Sequence, residues 1–217
     1  MSELIDKYYK VLDDGFIALK GYMGSDQDIE RAARVSYGKG TRKVSDTRNL
    51  LRFMFSHAHT SPFESCELQF HVRSPIFCFR QWHRHRTWSF SEYSGRYSEM
   101  IDSCEVTDKW RVQSTINKQG SGTDDIKWPE NFNIPSDYYN ENKELVSYTP
   151  DLYLSNQEKQ LQKQCRAYYE ERLAFGVAKE QARKELPVSN YSEMYAKVDL
   201  KNLLHFISLR SDSHAQL

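Results

Sequence analysis

The segment from Arg80 to Arg96 is dense in side chains that bind anions and flat rings. Its charged and aromatic members are Arg80, Trp82, His83, Arg84, His85, Arg86, Trp88, Phe90, Glu92, Tyr93 and Arg96. The permanent positive charge is all arginine, because no lysine occurs between residues 44 and 108. A guanidinium group offers a planar fork of donors that suits phosphate or carboxylate, and its plane stacks on flat rings. The segment therefore indicates either a site for an anionic, flat ligand such as a nucleotide, or a basic surface patch.

The sequence before this segment predicts how it is held. Residues 66–73 alternate between apolar and polar side chains, which predicts a half-buried strand. Ser74-Pro75 then starts a predicted helix that ends near Arg86 and is followed by a loop. On that helix Arg80 and Arg84 lie one turn apart and would share a face.

The order of the predicted elements indicates a mixed α+β domain and not a series of βαβ units. Strands are predicted at 15–23 and 66–73, and helices at 25–36, 46–56, 155–176, 178–186 and 200–209. A capping box at Ser155 and a cap at Asp199 mark the starts of two of these helices. We expect one domain over residues 1–217, with a small, mostly antiparallel sheet packed with helices and a long helical C-terminal half. Residues 105–154 form a variable, irregular insertion, interpreted as a lid, an oligomer contact or surface decoration.

Composition argues against several classes of protein. The 30 basic and 30 acidic residues balance, which argues against a general nucleic-acid binder. No apolar run is long enough to span a bilayer, and the first residues lack an apolar signal segment. The four cysteines are widely spaced, so neither a disulfide framework nor a zinc knuckle is indicated. We therefore expect a cytoplasmic protein with reduced thiols and no membrane or nucleic-acid partner.

Several motifs together resemble the flavin-dependent thymidylate synthases. Arg84-His85-Arg86, followed after seven residues by Ser94, resembles the Arg-His-Arg-x7-Ser signature of that family. Further blocks resemble the family in the same order: Ala32-Ala-Arg-Val-Ser36, His59-Thr-Ser-Pro-Phe-Glu64, Pro75-Ile-Phe, Arg80-Gln-Trp82, Ser94-Gly-Arg-Tyr-Ser98 and Leu209-Arg-Ser-Asp-Ser-His-Ala-Gln216. The resemblance covers the chain from about residue 13 to its end, apart from the insertion.

The resemblance implies an activity, its cofactors and an assembly. The implied reaction is the reductive methylation of dUMP to dTMP, with the one-carbon unit taken from methylenetetrahydrofolate and tetrahydrofolate released. FAD reduced by NADPH is the implied source of hydride. The family's α+β fold is implied as well, and so is a homotetramer in which the FAD sites are shared between subunits.

The resemblance assigns one group of residues to the nucleotide substrate. The implied dUMP contacts are Gln81, Arg84, Glu92, Ser94, Gly95, Arg96, Arg183 and Arg210. Arg96 can fork onto the phosphate, and Gly95 lets backbone N–H groups approach an anion closely. Arg210 is an implied catalytic residue that would hold the uracil edge and stabilise negative charge developing on it. For Arg183, a surface ion pair on its helix with Glu180 or Glu185 is an equally good interpretation.

A second group of residues is assigned to the flavin. The implied FAD contacts are Ser36, Ser61, Glu64, Arg84, His85, Arg86, Ser91, Glu92, His205 and His214. His59 resembles a histidine that the family places near the flavin and folate, and it is the second implied catalytic residue; a packed loop histidine is the alternative. Because no Gly-x-Gly-x-x-Gly motif is present, a Rossmann-type FAD site is not indicated.

Three positions depart from the family pattern. Ser91 stands where asparagine is frequent, and Asp199 and His205 stand late in the chain where relatives often have asparagine. A carboxylate beside a flavin pyrophosphate would be repelled, so Asp199 is expected to cap its helix. The chain also ends directly after a polar, functional-looking block, which makes the C-terminus a candidate truncation point.

Two other functions compete with this interpretation. The pairs His57 with His59 and His83 with His85 suggest a metal site, but both fall at predicted helix ends, where residues i and i+2 do not face each other. We therefore expect no metal. The mixture of arginine and aromatic residues also fits a nucleotide- or RNA-binding module. Within the enzyme interpretation, Ser94 is assigned to binding because the sequence places no activating base near it.

Overall fold

The structure, a computed structural model, describes residues 2–35, 46–116, 118, 120–135 and 149–211. The chain forms two compact units. The first is built from residues 1–94 and 191–211, and the described part of the second comes from residues 95–190. The following elements are found in chain order: β1 (Tyr8–Val11), β2 (Gly15–Met23), α1 (Asp26–Arg34), α2 (Thr47–Ser56), a 3-10 helix (Ser61–Ser65), β3 (Glu67–Pro75), α3 (Ile76–Trp82), β4 (Ser89–Glu92), α4 (Pro150–Ala174), α5 (Lys179–Ala182), β5 (Tyr191–Asp199) and α6 (Leu200–Arg210).

The first unit contains a five-stranded antiparallel sheet with the order β1-β2-β3-β5-β4. One face carries the main core, in which Val72 of β3 and Met194 of β5 are buried with Phe79 of α3. The register pairs Val72 with Met194 and His71 with Tyr195, so that apolar and polar side chains alternate across both strands. The predicted α+β class with a small antiparallel sheet is confirmed.

A second core fixes the helices of the first unit. Ile29 of α1, Met54 of α2, and Phe63 and Cys66 around the 3-10 helix are all buried. The backbone N–H of Leu200 donates to the carbonyl of Cys66 at 2.9 Å, which ties the start of α6 to this core. Asp199 caps α6, as predicted, because its Oδ1 accepts from the N–H of Asn202 at 2.9 Å.

The predicted helix through Arg86 is too long. Helix α3 ends at Trp82, because the N–H groups of Arg84 and His85 donate to carbonyls only three residues back, those of Gln81 and Trp82. Arg80 and Arg84 therefore do not share a helical face. Pro75 is the cap of α3 and the last residue of β3, so it does not occupy the first helical position.

Two strands near this segment, β4 and β5, were not predicted from the sequence. The predicted loop before Gly95 contains β4, which pairs with β5. Strand β5 has a clear alternation that the prediction missed, since Met194, Ala196 and Val198 are buried between less buried neighbours. The apolar face of β5 completes the main core, which explains why β5 lies between β3 and β4 in the sheet.

The second unit is built on the 25-residue helix α4. The predicted start at Ser155 is wrong, since the helix begins at Pro150 with Thr149 as its cap. Ser155 is instead buried inside the helix, where its hydroxyl donates to the carbonyl of Thr107 and accepts from the indole of Trp110 at 3.1 Å. Tertiary contacts of the insertion therefore replace the predicted capping role.

The insertion contributes an aromatic cavity to the second unit. The rings of Trp128, Phe132 and Tyr153 lie within 5.2–5.4 Å of one another, centroid to centroid. They line a mainly apolar cavity of about 270 Å³. None of the residues assigned to dUMP or FAD lines it. Within the described part of the chain, no helix combines the length and hydrophobicity needed to cross a membrane.

Candidate functional site

The turn that follows α3 carries the Arg84-His85-Arg86 motif on a layer of packed rings. Arg84 and Arg86 are exposed, whereas His85 is half-buried. Trp88, three residues after His85, is buried in the main core, and it meets Trp82 edge-on with centroids 5.0 Å apart. The aromatic residues that suggested a flat ligand therefore serve mainly as the support of the turn.

Helix α6 contacts this turn through Phe206. The Phe206 ring stacks on Trp82 at 5.2 Å with an interplanar angle of 16°, and it meets Trp88 edge-on at 5.2 Å. Its third partner is His85, at 4.8 Å and 83°. These contacts bring His205 and Arg210, which lie on α6, into the neighbourhood of His85.

The imidazole of His85 is kept neutral by its surroundings. Burial lowers its pKa below the ordinary value of 6.5, and electrostatic interactions with Arg210 and His205 lower it further. A neutral imidazole offers one N–H donor and one acceptor nitrogen. His85 can therefore exchange hydrogen bonds with a neutral heterocycle at neutral pH, while the arginines around it supply the charge.

The arginines of this site are available to an anion. Arg84, Arg86 and Arg210 are exposed, and across the described residues no carboxylate lies within ion-pair distance of any of them. Three guanidinium groups around a neutral histidine make the site positive. Their planar donors fit a phosphate or pyrophosphate group.

The other end of α6 is joined through Glu64 to the 3-10 helix Ser61–Ser65. Glu64 accepts an ion-pair contact from Lys201 at 2.5 Å, and this contact raises the pKa of the Lys201 ammonium group. Lys201 and Phe206 are five residues apart, about 7.5 Å along a helix axis at ~1.5 Å per residue. One helix thus connects the 3-10 helix that holds Ser61 and Glu64 with the turn that holds His85.

His59 follows an unusual helix end. Ala58 has a left-handed backbone conformation with φ of 57°, and the N–H of His59 donates to the carbonyl of Met54 at 2.8 Å. Glycine usually occupies such a position, because a Cβ is strained there. The His59 ring is exposed and meets Phe53 edge-on at 6.5 Å, so the backbone geometry presents it to solvent.

Two of the predicted FAD residues, Ser91 and Glu92, lie on opposite faces of strand β4. Ser91 pairs with Tyr195 and Glu92 pairs with Met194, so the two side chains point to opposite faces of the sheet. Glu92 lies on the face of the main core and accepts from the hydroxyl of Ser192 at 3.2 Å. The structure therefore separates Ser91 from the residues that it gathers around His85.

The opposite face of the sheet holds a polar cluster around His71. The His71 ring stacks on Tyr195 at 4.8 Å, and its Nε2 lies 2.9 Å from Oε2 of Glu193. Arg73 contacts Glu193 at 3.6 Å and also pairs with Asp14. This cluster was not predicted from the sequence, because Asp14, Glu193 and Tyr195 lie in segments that were assigned no role.

The second unit brings Gly95 and Arg183 together. A Cβ built on the buried Gly95 would overlap Sδ of Met100 and would lie 3.1 Å from both Cδ and Nη1 of Arg183. Among the described residues, Arg183 forms an ion pair with neither Glu180 nor Glu185, and Glu185 pairs with Arg172 instead. Arg96 is exposed, and its guanidinium lies 5.4 Å from the Tyr97 ring centroid.

Some predicted residues do not enter this geometry. Ser36 and His214 lie outside the described residues. Gln81 is exposed at the end of α3, and Ser94 is half-buried after β4. Over the described ranges, no three histidine, cysteine or acidic side chains cluster closely enough to hold a metal ion.

The sequence is similar to one protein family over most of its length. The family described as "Thymidylate synthase complementing protein" matches residues 18–217.

The chain belongs to the thymidylate synthase complementing protein family.

Curated relatives and solved structures agree with this family. The chain is 43% identical over 219 residues to the flavin-dependent thymidylate synthase of Wolbachia pipientis wMel, of which it covers 69%, and 40% identical to that of Anaplasma marginale, of which it covers 68%. All of the chain is matched in both cases, so it spans about two thirds of these relatives. Crystal structures of the UMP/dUMP methylase PolB from Streptomyces cacaoi, bound with 5-Br UMP or 5-Br dUMP, match with TM-scores of 0.67 and 0.69.

The PolB comparisons extend over most of the fold. The identity is 33% and 31%, with 91% and 92% of this chain covered and 77% and 79% of PolB. The family predicted from the Arg84-His85-Arg86 motif is therefore confirmed.

Proposed function

We propose that this protein is a flavin-dependent thymidylate synthase that methylates dUMP to dTMP. The observation that carries the proposal is the contact of His85 with Phe206, which brings Arg210 close enough to His85 to lower its pKa, in a chain whose relatives bear that name. The competing interpretation as an RNA-binding module has no such support, because the chain has no net charge.

The residues around His85 fit FAD. The three exposed arginines suit the pyrophosphate, and the neutral His85 suits the polar edge of a flavin ring. We propose that Ser61, Glu64, Arg84, His85, Arg86 and His205 contact this group, with Ser36, Ser91, Glu92 and His214 as further contacts. When bound, FAD supplies hydride after reduction by NADPH, as the family implies. The chain's own residues bind and orient it.

Strand β4 supports the proposal of shared sites. Ser91 and Glu92 point to opposite faces of one sheet, so within one chain a single small group is not reached by both side chains. In a homotetramer, one of the two would serve the FAD of a neighbouring subunit. A cytoplasmic location is proposed for the assembly, as the sequence leads us to expect.

The dUMP phosphate is proposed to bind at Gly95, Arg96 and Arg183. Position 95 has no room for a side chain, because Met100 and Arg183 pack against it, and the Arg183 guanidinium therefore lies beside the Gly95 backbone, where both could bind one anion. Arg96 adds a second guanidinium fork. Gln81, Arg84, Glu92, Ser94 and Arg210 remain proposals for the other dUMP contacts.

Two residues are proposed to act in catalysis. Arg210 would stabilise the negative charge that develops on the uracil ring during hydride transfer. His59 would transfer or orient a proton near the one-carbon donor, methylenetetrahydrofolate, since its ring is exposed and its backbone is held in place. No cysteine is needed as a nucleophile, and burial raises the pKa values of the Cys66 and Cys104 thiols, which makes both less reactive.

The absorbance of the flavin tests the proposal. The purified protein, reconstituted with FAD, is expected to be yellow and to bleach under NADPH without oxygen, faster when dUMP is present. Colourless protein that cannot be reconstituted with FAD would contradict it. Deoxyuridine is the matched control, because it lacks the phosphate that the arginines are proposed to bind.

A further inference from the structure

The contact between Gly95 and Arg183 depends on a third residue, Met100. Met100 is buried, and its Sδ occupies the space that a side chain at position 95 would need. The Arg183 guanidinium borders the same space. The position of Met100 therefore helps to set where the Arg183 guanidinium lies relative to the Gly95 backbone.

Side chains of helix α4 form hydrogen bonds with both backbone polar groups of Met100, its N–H and its carbonyl. The N–H of Met100 donates to the hydroxyl of Tyr169 at 3.0 Å, and its carbonyl accepts from Nη1 of Arg166 at 3.0 Å. The Arg166 guanidinium lies 5.1 Å from the Tyr169 ring centroid. Tyr169 is almost fully buried, so water is poorly placed to replace its hydroxyl.

The same face of α4 also holds the turn that contains Arg183. Arg172, three residues after Tyr169, donates from Nη1 to the carbonyl of Ala182 at 3.2 Å and pairs with Glu185. These two contacts bracket Arg183 on either side in the chain. Helix α4 thus supports both partners of the Gly95–Arg183 contact.

We propose that Tyr169 is a positioning residue for the nucleotide phosphate. Its hydroxyl holds Met100 against Gly95, and the Arg183 guanidinium is thereby fixed beside the Gly95 backbone. Arg172 is the second support, acting from the other side of Arg183. This inference rests on the proposed function, because it takes the phosphate of dUMP as the group that Arg183 binds.

The variant Tyr169→Phe removes only the hydroxyl and leaves the ring in the core. We expect the KM for dUMP to rise about fivefold or more with kcat nearly unchanged, because the buried N–H of Met100 loses its acceptor. Flavin content should stay at the level of the unmodified protein. Tyr168→Phe is the matched control, since Tyr168 is exposed and its hydroxyl accepts from Gln164 within the same helix.

Two further measurements separate positioning from a loss of stability. Affinity for deoxyuridine should be the same in Tyr169→Phe and in the unmodified protein, since the defect concerns the phosphate. Adding Tyr169→Phe to Arg183→Ala should weaken dUMP binding little further, because the positioned group is already absent. A merely structural role would weaken both nucleosides and nucleotides and would add to the Arg183→Ala effect.

The outcomes distinguish this inference from the proposed function. If the unmodified protein binds FAD and dUMP but Tyr169→Phe binds dUMP equally well, the positioning role is overturned and the function stands. If the unmodified protein binds no dUMP, the proposed function fails first. If Tyr169→Phe does not fold, Arg172→Met provides the same test. We expect Arg172→Met to raise the KM for dUMP, and an unchanged KM would contradict the inference.

Discussion

The rings of His85 and Phe206 meet edge-on, with centroids 4.8 Å apart at an interplanar angle of 83°. One ring belongs to the turn after α3 and the other to α6, so this contact joins two parts of the chain that are 121 residues apart. Because Phe206 also stacks on Trp82, it fixes α6 and the turn as one layer. The positions of Arg84 and Arg210 depend on that layer.

Replacement of Phe206 by alanine should weaken both the fold and flavin binding. Phe206 is half-buried, so we expect a loss of about 2 kcal/mol in the free energy of unfolding, less than the roughly 3–5 kcal/mol of a fully buried phenylalanine. Urea denaturation and FAD titration measure the two effects. Ile207→Ala is the control, because Ile207 is the next residue on α6 and is exposed. Equal FAD affinity in both variants would contradict the supporting role of Phe206.

Removal of the Arg210 charge should raise the pKa of His85. Arg210→Met keeps an unbranched side chain and removes the nearby positive charge, while burial and His205 still lower the pKa. We expect the His85 pKa to move up toward 6.5 without reaching it. A pH titration monitored by the NMR signals of the His85 ring measures the change, and the His85→Gln variant assigns those signals. An unmoved pKa would show that Arg210 does not act on His85.

The same shift makes stability depend on pH in a defined direction. The pKa of His85 is lower in the folded protein than in the unfolded chain, so the unfolded chain binds the proton first as the pH falls. The contribution of His85 to stability is complete above its unfolded pKa and is lost as the pH falls from 6.5 through the folded pKa. In Arg210→Met this loss should be smaller.

A methyl group at position 95 should impair nucleotide binding. In Gly95→Ala the new Cβ would overlap Sδ of Met100 and crowd the Arg183 guanidinium, so one of them must move. We expect the Kd for dUMP to rise about tenfold, equivalent to ~1.4 kcal/mol, with flavin content unchanged. Gly21→Ala in β2 is a suitable control, because nothing lies within 4 Å of its added Cβ. Unchanged dUMP affinity in Gly95→Ala would remove Gly95 from the proposed phosphate site.

Loss of His59 should slow the reaction and leave the fold intact. The ring is exposed, so His59→Ala is expected to reduce the turnover number by about 10²-fold, in the lower range of acid–base effects, with little change in melting temperature. His57→Ala is the matched control: its Nδ1 donates to the carbonyl of Phe53 at 2.8 Å, and its role is to close helix α2. Equal turnover in the two variants would assign His59 a packing role only.

The sequence predicted the α+β class and the strand at 66–73, and the resemblance predicted the family. Asp199 was also predicted correctly as a helix cap, since capping depends on residues close in the chain. The end of α3 at Trp82 could not be predicted, because it follows from the burial of Trp88 in a core built from distant strands. Local periodicity continues past Trp82 without a breaker.

The geometry around Arg183 could not be predicted from the sequence either. The alternation in residues 191–199 was a usable signal for β5, but the roles of Phe206, Met100 and Tyr169 arise from contacts over 69 residues or more in the chain. Such contacts connect segments that are independent in sequence. They explain why residue types could be assigned to ligands while the supports of those residues were missed.

The formation of dTMP is the most direct measurement of the central claim. The protein would be incubated with FAD, NADPH, methylenetetrahydrofolate and dUMP, and the nucleotides separated and identified by mass spectrometry. We predict that dTMP and tetrahydrofolate are formed, and that no dTMP is formed when FAD or NADPH is omitted. Protein that binds FAD and dUMP but yields no dTMP, or dTMP formed at the same rate without FAD, would contradict the proposed function.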